Sequence, residues 1–130
     1  MDKYIRELEY LAYHDDMTKL YNRHYLFKKL IITDYIFLYF IDINKLKIIN
    51  DSGGHFSGDE HIRKIIKIIK SIISINDIMI RYGGDEFLVF SNTDDLLKSN
   101  ELYSVGKTKT TKRIRRTIKK ANTKLYKNKQ

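Results

Sequence analysis

This chain of 130 residues contains no cysteine, no proline and no tryptophan. The absence of cysteine excludes a disulfide framework, a thiolate nucleophile and a cysteine-ligated zinc or iron–sulfur centre. Long hydrophobic runs are also missing, because the longest, residues 35–41, is far shorter than the ~20 residues that a membrane-spanning helix needs. Residues 1–4 begin a charged stretch that does not resemble a signal peptide. These absences favour a soluble, cytoplasmic protein that has no contact with a membrane.

Acidic residues are missing from the last part of the chain. Residues 107–130 contain eleven Lys and Arg side chains and no Asp or Glu, whereas residues 1–106 carry a net charge of −2. A basic segment of this density suits an anionic partner, such as nucleic acid, an anionic membrane surface or a polyphosphate ligand. It is equally typical of the solvated face of a helix, so charge alone does not decide between these interpretations.

Apolar residues make up 42% of the chain, which is enough for one packed domain of this length. Periodicity predicts eight regular elements, with Thr18 or Asn22 as the cap of the second helix. The predicted helices cover residues 3–13, 25–31, 60–73 and 114–125, and the predicted strands cover residues 35–43, 78–82, 87–90 and 102–105. Residues 50–59, which include three glycines, are predicted to form a loop, and residues 91–101 leave room for at most two helical turns.

The order of these elements is typical of an α/β or α+β fold in which helices pack on a small sheet. The apolar strand at residues 35–43 reads as a central strand that is covered on both faces. We divide the chain into an N-terminal helical stub, residues 1–13, and a compact domain, residues 14–130.

Three acidic residues stand out because of the elements that carry them. Asp42 ends a strongly apolar strand, where a carboxylate is costly unless it is paired or bound to a metal. Asp85 and Glu86 lie in a tight glycine turn between two strands. If that hairpin lies beside the Asp42 strand, the carboxylates converge at one end of the sheet. Mg²⁺ prefers such oxygen ligands, together with substrate phosphates. The alternative is an ordinary hairpin turn with exposed acids.

Other polar groups near these acids suit a nucleotide. Lys47 follows the strand end and could hold a phosphate as a point charge. The side chains of Asn50 and Asp59 offer donors and acceptors for the edge of a purine. Arg81 precedes the glycine turn by two residues and could stabilise charge on a transferring phosphoryl group. Taken singly, each of these residues is a weak signal.

The heptapeptide RYGGDEF at residues 81–87 is the signature of GGDEF domains, the diguanylate cyclase family. Further stretches resemble the motifs of that family in order and spacing. They are HDDMTKLYNR at residues 14–23, DINKLKIIND with the GH and GD pairs over residues 42–59, YSVG at residues 103–106 and ANTKLYKNK at residues 121–129. On these motifs the chain is similar to a compact GGDEF domain.

The resemblance implies a palm-like fold with a central, mostly antiparallel sheet that is flanked by helices and carries GGDEF on a β-hairpin. It implies that a homodimer condenses two GTP molecules into cyclic di-GMP. Asp42, the Ile43 carbonyl and Asp85 would bind Mg²⁺ or Mn²⁺. Glu86 would act as a metal ligand or a base, and Arg81 would stabilise the transition state.

The same resemblance assigns the substrate contacts. Asn50 and Asp59 would read guanine, and Lys47 and Lys129 would hold phosphates. Leu46 stands where the family usually has phenylalanine, and we count it among the substrate-binding residues. Asn44 stands at the family's usual second aspartate.

The chain departs from the family pattern in three regions. Residues 91–101 leave little room for a helix that usually covers one face of the sheet, so we expect an exposed apolar surface that a partner subunit covers. The sequence given stops at Gln130, before a family arginine that assists Lys129. Finally, SIND at residues 74–77 keeps Asp77 of the product-inhibition motif R-x-x-D but lacks its arginine. We therefore predict no feedback inhibition at that site.

Four functions fit the sequence to different degrees. The leading hypothesis is a Mg²⁺-dependent diguanylate cyclase whose active form is a homodimer. The residues given include no attached sensor domain, which leaves three interpretations open: a free-standing enzyme, a partner of a separate regulatory protein, or a fragment of a longer chain. One alternative is a minimal cyclase, related to the palm of CRISPR-associated polymerases, that makes another cyclic oligonucleotide. A second is a catalytically silent module that binds GTP or a protein partner. Nucleic-acid binding by the basic segment is the least favoured, because that segment aligns with a phosphate-facing helix of the family.

Overall fold

The computed structural model describes the backbone of residues 2–128 and the side chains of residues 2–126. The helices are α1 (Lys3–Tyr13), α2 (Arg23–Lys28), α3 (Leu46–Ile72) and α4 (Ile114–Asn128), and the strands are β1 (Phe37–Ile43), β2 (Ile78–Arg81), β3 (Glu86–Ser91) and β4 (Tyr103–Lys109). A short 3-10 turn, Ile32–Asp34, precedes β1. Within the described residues, every helix is too short or too polar to cross a membrane.

The four strands form one sheet in the order β2-β3-β1-β4, and every neighbouring pair is antiparallel. The β1 strand lies between β3 and β4, and its continuous apolar sequence is explained by side chains buried on both faces of the sheet. At the end of the sheet, Asp42 lies opposite Glu86 on one side and Ser104 on the other. The predicted antiparallel, palm-like sheet with GGDEF on a hairpin is therefore confirmed.

Helices cover both faces of the sheet, and each face has its own apolar cluster. The α3 side contains, among others, Tyr39, Ile41, Ile62, Ile65, Ile69, Phe87, Val89 and Val105. The side of α2 and α4 contains Leu26, Ile32, Leu38, Phe40, Ile80, Leu88, Phe90, Ile118, Ala121 and Leu125. Successive side chains of β1 point to opposite faces of the sheet, so this one strand contributes residues to both clusters.

The connection between β3 and β4 forms no helix, yet it covers the sheet. The Tyr39 hydroxyl donates to the Thr93 carbonyl at 2.6 Å and accepts from the Leu96 amide at 3.1 Å. Leu97 is buried in the α3-side cluster, and Lys107 pairs with Asp94 at the rim. The expectation that a missing helix exposes the sheet is therefore wrong for the described residues, because this short connection folds back onto β1 and β4.

The prediction of a loop at residues 50–59 is also wrong, because these residues lie within α3, which extends from Leu46 to Ile72. The helix is interrupted at Gly54, whose φ of 80° and ψ of 177° are not helical. Glycine adopts this backbone without the steric cost that a side chain would add. Asn, Asp, Ser and Gly favour turns locally, yet only Gly54 leaves the helical backbone, and the buried isoleucine stripe begins after this break.

Smaller differences concern the ends of elements. Asn22 caps α2 by accepting from the Tyr25 amide at 3.0 Å, which confirms one of the two predicted caps. Thr18 instead donates its hydroxyl to Asp15. The β4 strand extends to Lys109, four residues beyond the predicted end, because it pairs with the full length of β1 up to Phe37.

Close packing of α4 on β4 depends on the absence of a side chain at Gly106. A Cβ atom there would lie 2.0 Å from the carbonyl oxygen of Ala121 and 2.5 Å from the backbone nitrogen of Leu125. Because these are backbone atoms of a packed helix, they can move only if α4 moves away from the sheet.

We predict that Gly106→Ala lowers the free energy of unfolding by about 2–3 kcal/mol, since inserted volume in a packed core has a cost of this size. Gly84→Ala is the matched control, because a Cβ at Gly84 would meet no atom within 4 Å. Urea unfolding followed by circular dichroism measures both variants. Equal stability of the two variants would contradict the tight α4–β4 contact.

Candidate functional site

A cleft of about 680 Å³ opens at the end of the sheet where β1 gives way to α3. Its walls come from the β1–α3 junction, the GGDE turn and the connection before β4. The lining residues are Asp42, Ile43, Asn44, Lys45, Leu46, Lys47, Ile48, Asp85, Ser99, Asn100 and Ser104. Strand β1 and its two neighbours thus deliver polar groups from distant parts of the sequence to one place.

The predicted metal ligands Asp42, Ile43 and Asp85 all line this cleft. The Ile43 amide donates to the Asp85 carbonyl at 3.0 Å, so the end of β1 is attached directly to the GGDE turn. Within the part of the chain that the structure describes, no three Asp, Glu, His or Cys side chains form a metal-binding group. The cleft therefore offers two carboxylates, and Mg²⁺ in proteins is commonly bound by one or two carboxylates together with water and substrate phosphates.

Glu86 is the neighbour of Asp85 but does not line the cleft. It lies opposite Asp42 in the β1–β3 register, and its carbonyl accepts from the amides of Tyr82 and Gly83 at 2.8 and 3.1 Å. A Cβ atom on Gly83 would lie 2.4 Å from Glu86 Oε1, so the carboxylate packs over the turn. The structure therefore brings two of the three predicted carboxylates together in the cleft and keeps the third beside it.

The first turn of α3 forms the floor of the cleft. Leu46 and Lys47, both predicted to contact substrate, lie there, and Lys45 precedes them with a left-handed φ of 62°. The first amides of a helix have no partners within the helix, and together with the helix dipole they attract anions. Lys45 and Lys47 add positive charge to the same place. Sequence reasoning singled out Lys47 but missed Lys45, although both lysines flank the helix start.

Asn50 and Asp59, the predicted guanine contacts, both lie on α3, outside the set that lines the cleft. The Asn50 side chain approaches Gly58, where a Cβ atom would lie 1.7 Å from Asn50 Oδ1. That oxygen is buried and has no hydrogen-bond partner among the described residues. A buried carbonyl oxygen without a partner is costly, so this atom is suited to a donor from a ligand.

Arg81 does not line the cleft, but it bonds to the GGDE turn that forms one wall of the cleft. Its guanidinium donates to an Asp15 carboxylate oxygen at 3.1 Å and to the Gly84 carbonyl at 2.9 Å. Its amide donates to the Tyr21 carbonyl at 2.8 Å. The predicted contact with a transition state stays a prediction, whereas these bonds join the segment after α1 to the GGDE turn.

Burial raises the pKa of Asp15, but hydrogen bonds from the Thr18 hydroxyl and amide and from Arg81 outweigh it, so the net pKa lies below its ordinary value of 3.8. Both members of the Asp15–Arg81 pair are largely shielded from solvent. The pair therefore links the two segments most strongly when Asp15 is ionised.

Besides Lys45, four uncharged polar residues in the cleft were not predicted as site residues. Asn44, Ser99, Asn100 and Ser104 line its wall on the side of the short β3–β4 connection. Only Asn44 and Ser104 lie in recognised motifs, so pattern alone gave no signal for the other two. The predicted phosphate contact Lys129 lies outside the described residues.

The fold and the cleft define a palm-like domain with paired carboxylates beside a helix start. Residues 12–104 match the family described as "Diguanylate cyclase, GGDEF domain". The match covers more than half of the chain, and the chain belongs to this family. Its sequence is 34% identical over 118 residues to diguanylate cyclase DosC of Escherichia coli K12, covering 85% of this chain and 24% of DosC.

Solved structures agree on the fold. The coiled coil and GGDEF domain of DgcB from Caulobacter crescentus, in complex with c-di-GMP, matches with a TM-score of 0.83 at 21% identity, covering 98% of this chain and 85% of that one. Diguanylate cyclase SiaD of Pseudomonas aeruginosa, in complex with its activator SiaC, matches with a TM-score of 0.77 at 23% identity. This match covers 97% of this chain and 61% of the SiaD chain. The chain spans between 8% and 24% of the length of the leading curated relatives.

We predict that Asp15→Asn lowers the free energy of unfolding by about 1–2 kcal/mol at neutral pH, as expected for a hydrogen bond to a charged group. A depressed folded-state pKa stabilises the protein above the unfolded value of 3.8, and this contribution disappears as the pH falls through the folded value. Urea unfolding at several pH values measures the difference between variant and wild type. A difference that stays constant below pH 3.8 would contradict the ion-pair account.

Proposed function

We propose that this chain is a diguanylate cyclase that condenses two GTP molecules into cyclic di-GMP and pyrophosphate as a homodimer. The observation that carries the proposal is the cleft that unites Asp42, Ile43 and Asp85 with the first turn of α3. Paired carboxylates suit a divalent cation, and a lysine-flanked helix start suits a phosphate chain. The family to which the chain belongs supports the same reaction.

Asp42, the Ile43 carbonyl and Asp85 would hold Mg²⁺ or Mn²⁺. A divalent cation bound there would neutralise charge on the α-phosphate and orient it. Lys45 and Lys47 lie in the same cleft and would hold the remaining phosphate oxygens. Exposed basic side chains on α4 would add a long-range attraction for the triphosphate; they are Arg115, Arg116, Lys119, Lys120 and Lys124. We assign Lys129 to phosphate on the motif alone.

The Asn50 amide supports guanine as the base. Its buried oxygen would accept from a base N–H, and Asp59, one residue after Gly58, would accept from another. Guanine presents donors at N1 and N2, whereas adenine has neither. A site that is built to hydrogen-bond a ligand group rejects an analogue that lacks it.

The reaction needs two bound nucleotides. Each 3′-hydroxyl oxygen forms a bond to the α-phosphorus of the other GTP, each α–β phosphoanhydride bond breaks, and two pyrophosphates leave. Because one cleft offers one such set of carboxylates, two chains would face each other. Glu86 lies beside the cleft and would accept a hydroxyl proton through water, and Arg81 would hold the GGDE turn in place.

The exposed apolar face of α1 supports the proposal that this chain binds a protein partner. Its apolar side chains Tyr4, Ile5, Leu8 and Leu11 are exposed, and none of its residues is buried. A second copy of the chain would cover this face. The SiaD structure contains a separate activator protein, which supports a regulatory protein as a further partner of this chain.

The test is incubation with Mg²⁺ and GTP, with ATP in parallel, followed by mass analysis of the products. We expect cyclic di-GMP from GTP, and a loss of about 100-fold or more for Asp85→Asn, because a metal-stabilised charge is worth several kcal/mol. Asp34→Asn is the matched control, since Asp34 is exposed and lies outside the cleft. No product from a folded dimer would reject the proposal, and a cyclic product that requires ATP would favour the CRISPR-polymerase-like alternative.

We predict that Asn50→Ala raises the KM for GTP by about tenfold or more, because a hydrogen bond to the base is lost. Gly58→Ala should have the same effect, since its Cβ would displace the Asn50 amide. Asn76→Ala, in the exposed turn before β2, is the control. Steady-state pyrophosphate release measures all three variants. Unchanged KM values for both Asn50→Ala and Gly58→Ala would exclude Asn50 as a base contact.

A further inference from the structure

Asn44 connects two walls of the cleft through four hydrogen bonds. Its side-chain nitrogen donates to the carbonyls of Asn100 and Glu101 at 3.1 and 3.3 Å. Its side-chain oxygen accepts from the Ser104 hydroxyl at 2.8 Å, and its backbone amide donates to the Leu102 carbonyl at 3.0 Å. One residue at the β1–α3 junction therefore bonds to four of the five residues 100–104.

The segment that Asn44 holds is itself a tight turn. Asn100 Oδ1 accepts from the amides of Leu102 and Tyr103 at 2.8 and 3.0 Å. The Asn100 amide donates to the Tyr103 carbonyl at 2.9 Å. The turn therefore presents two outward carbonyls, those of Asn100 and Glu101, to a side chain that can donate.

Only an amide satisfies this arrangement. Asparagine offers two N–H donors and one acceptor in a planar group, which match two carbonyls and one hydroxyl. Aspartate has nearly the same shape, but when ionised it only accepts, so it would set a negative charge against two carbonyl oxygens. Asn44 is thus matched to the short connection between β3 and β4, which brings those carbonyls to the cleft.

Asn44 also stands between two groups that the cleft depends on. Ile43, the preceding residue, lines the cleft and is attached to the GGDE turn through its amide. Lys45, the following residue, adopts the left-handed backbone from which α3 starts. Loss of the Asn44 bonds would free the peptide units on both sides, including the one that carries the Ile43 carbonyl.

We propose that Asn44 is a positioning residue, which sets the Ile43 carbonyl and the start of α3 by anchoring them to residues 100–104. This inference rests on the proposed cyclase function for its catalytic consequence, but not for its structural one. It assigns to Asn44 a role that an aspartate at this position in the chain cannot fill.

The test compares Asn44→Asp with Asn76→Asp, which makes the same chemical change in an exposed turn. Hydrogen–deuterium exchange reports the anchor without any turnover, and we expect faster exchange at residues 43–48 and 99–104 in Asn44→Asp only. In the cyclase assay we expect the Mg²⁺ concentration for half-maximal activity to rise about fivefold to tenfold, as one or two lost hydrogen bonds imply. A purely structural defect would lower the active fraction and leave that concentration unchanged.

If residues 43–48 and 99–104 of Asn44→Asp exchange hydrogen at the wild-type rate, Asn44 does not anchor these segments. If the Mg²⁺ concentration for half-maximal activity is unchanged, Asn44 is not a positioning residue. If Asn44→Asp does not fold, Ser104→Ala removes a single bond and should change both readouts in the same direction by a smaller factor. If the wild-type chain makes no cyclic dinucleotide, the proposed function fails, and the exchange experiment still decides whether Asn44 is the anchor.

Discussion

The candidate site depends on the pairing of β1 with its two neighbours at the end where Asp42 lies opposite Glu86 and Ser104. This register brings the GGDE turn and the start of β4 to the same end of the sheet. The bond from the Ile43 amide to the Asp85 carbonyl completes the alignment. Since β1 is buried on both faces, a slip of one residue would move its apolar side chains to the wrong layers, so core packing fixes the position of the carboxylates.

Side-chain bonds from more distant elements then hold the walls of the cleft. Arg81 attaches the GGDE turn to Asp15, and Asn44 attaches the β1–α3 junction to residues 100–104. Each of these residues contributes little to the apolar core, yet each bonds two segments that meet at the cleft. Such bonds make a site rigid enough to hold charged ligands in one geometry.

The sequence predicted the parts of the fold that local patterns determine. The buried β1 strand and the GGDEF hairpin follow from apolar runs and a glycine turn. The convergence of Asp42 with Asp85 was predicted only on the condition that the hairpin lies beside β1, and the structure pairs β3 with β1. Residues 50–59 have turn-forming composition, but only Gly54 leaves the helical backbone, so composition did not predict the helical turns on either side of it. The β3–β4 connection covers the sheet through Leu97 and through its bonds to the Tyr39 hydroxyl. These contacts, like the bonds of Asn44, join residues more than 50 positions apart. No local pattern encodes such contacts.

The central claim is that the cleft binds a divalent cation and the phosphates of a guanine nucleotide, and that the base of this nucleotide contacts Asn50 outside the cleft lining. A crystal structure with Mg²⁺ and a GTP analogue that cannot lose pyrophosphate tests it most directly. The account predicts the cation on Asp42, the Ile43 carbonyl and Asp85, phosphates at the start of α3, and the base at Asn50. A nucleotide bound elsewhere on the chain, or phosphates at the cleft with the base directed away from Asn50, would contradict the account.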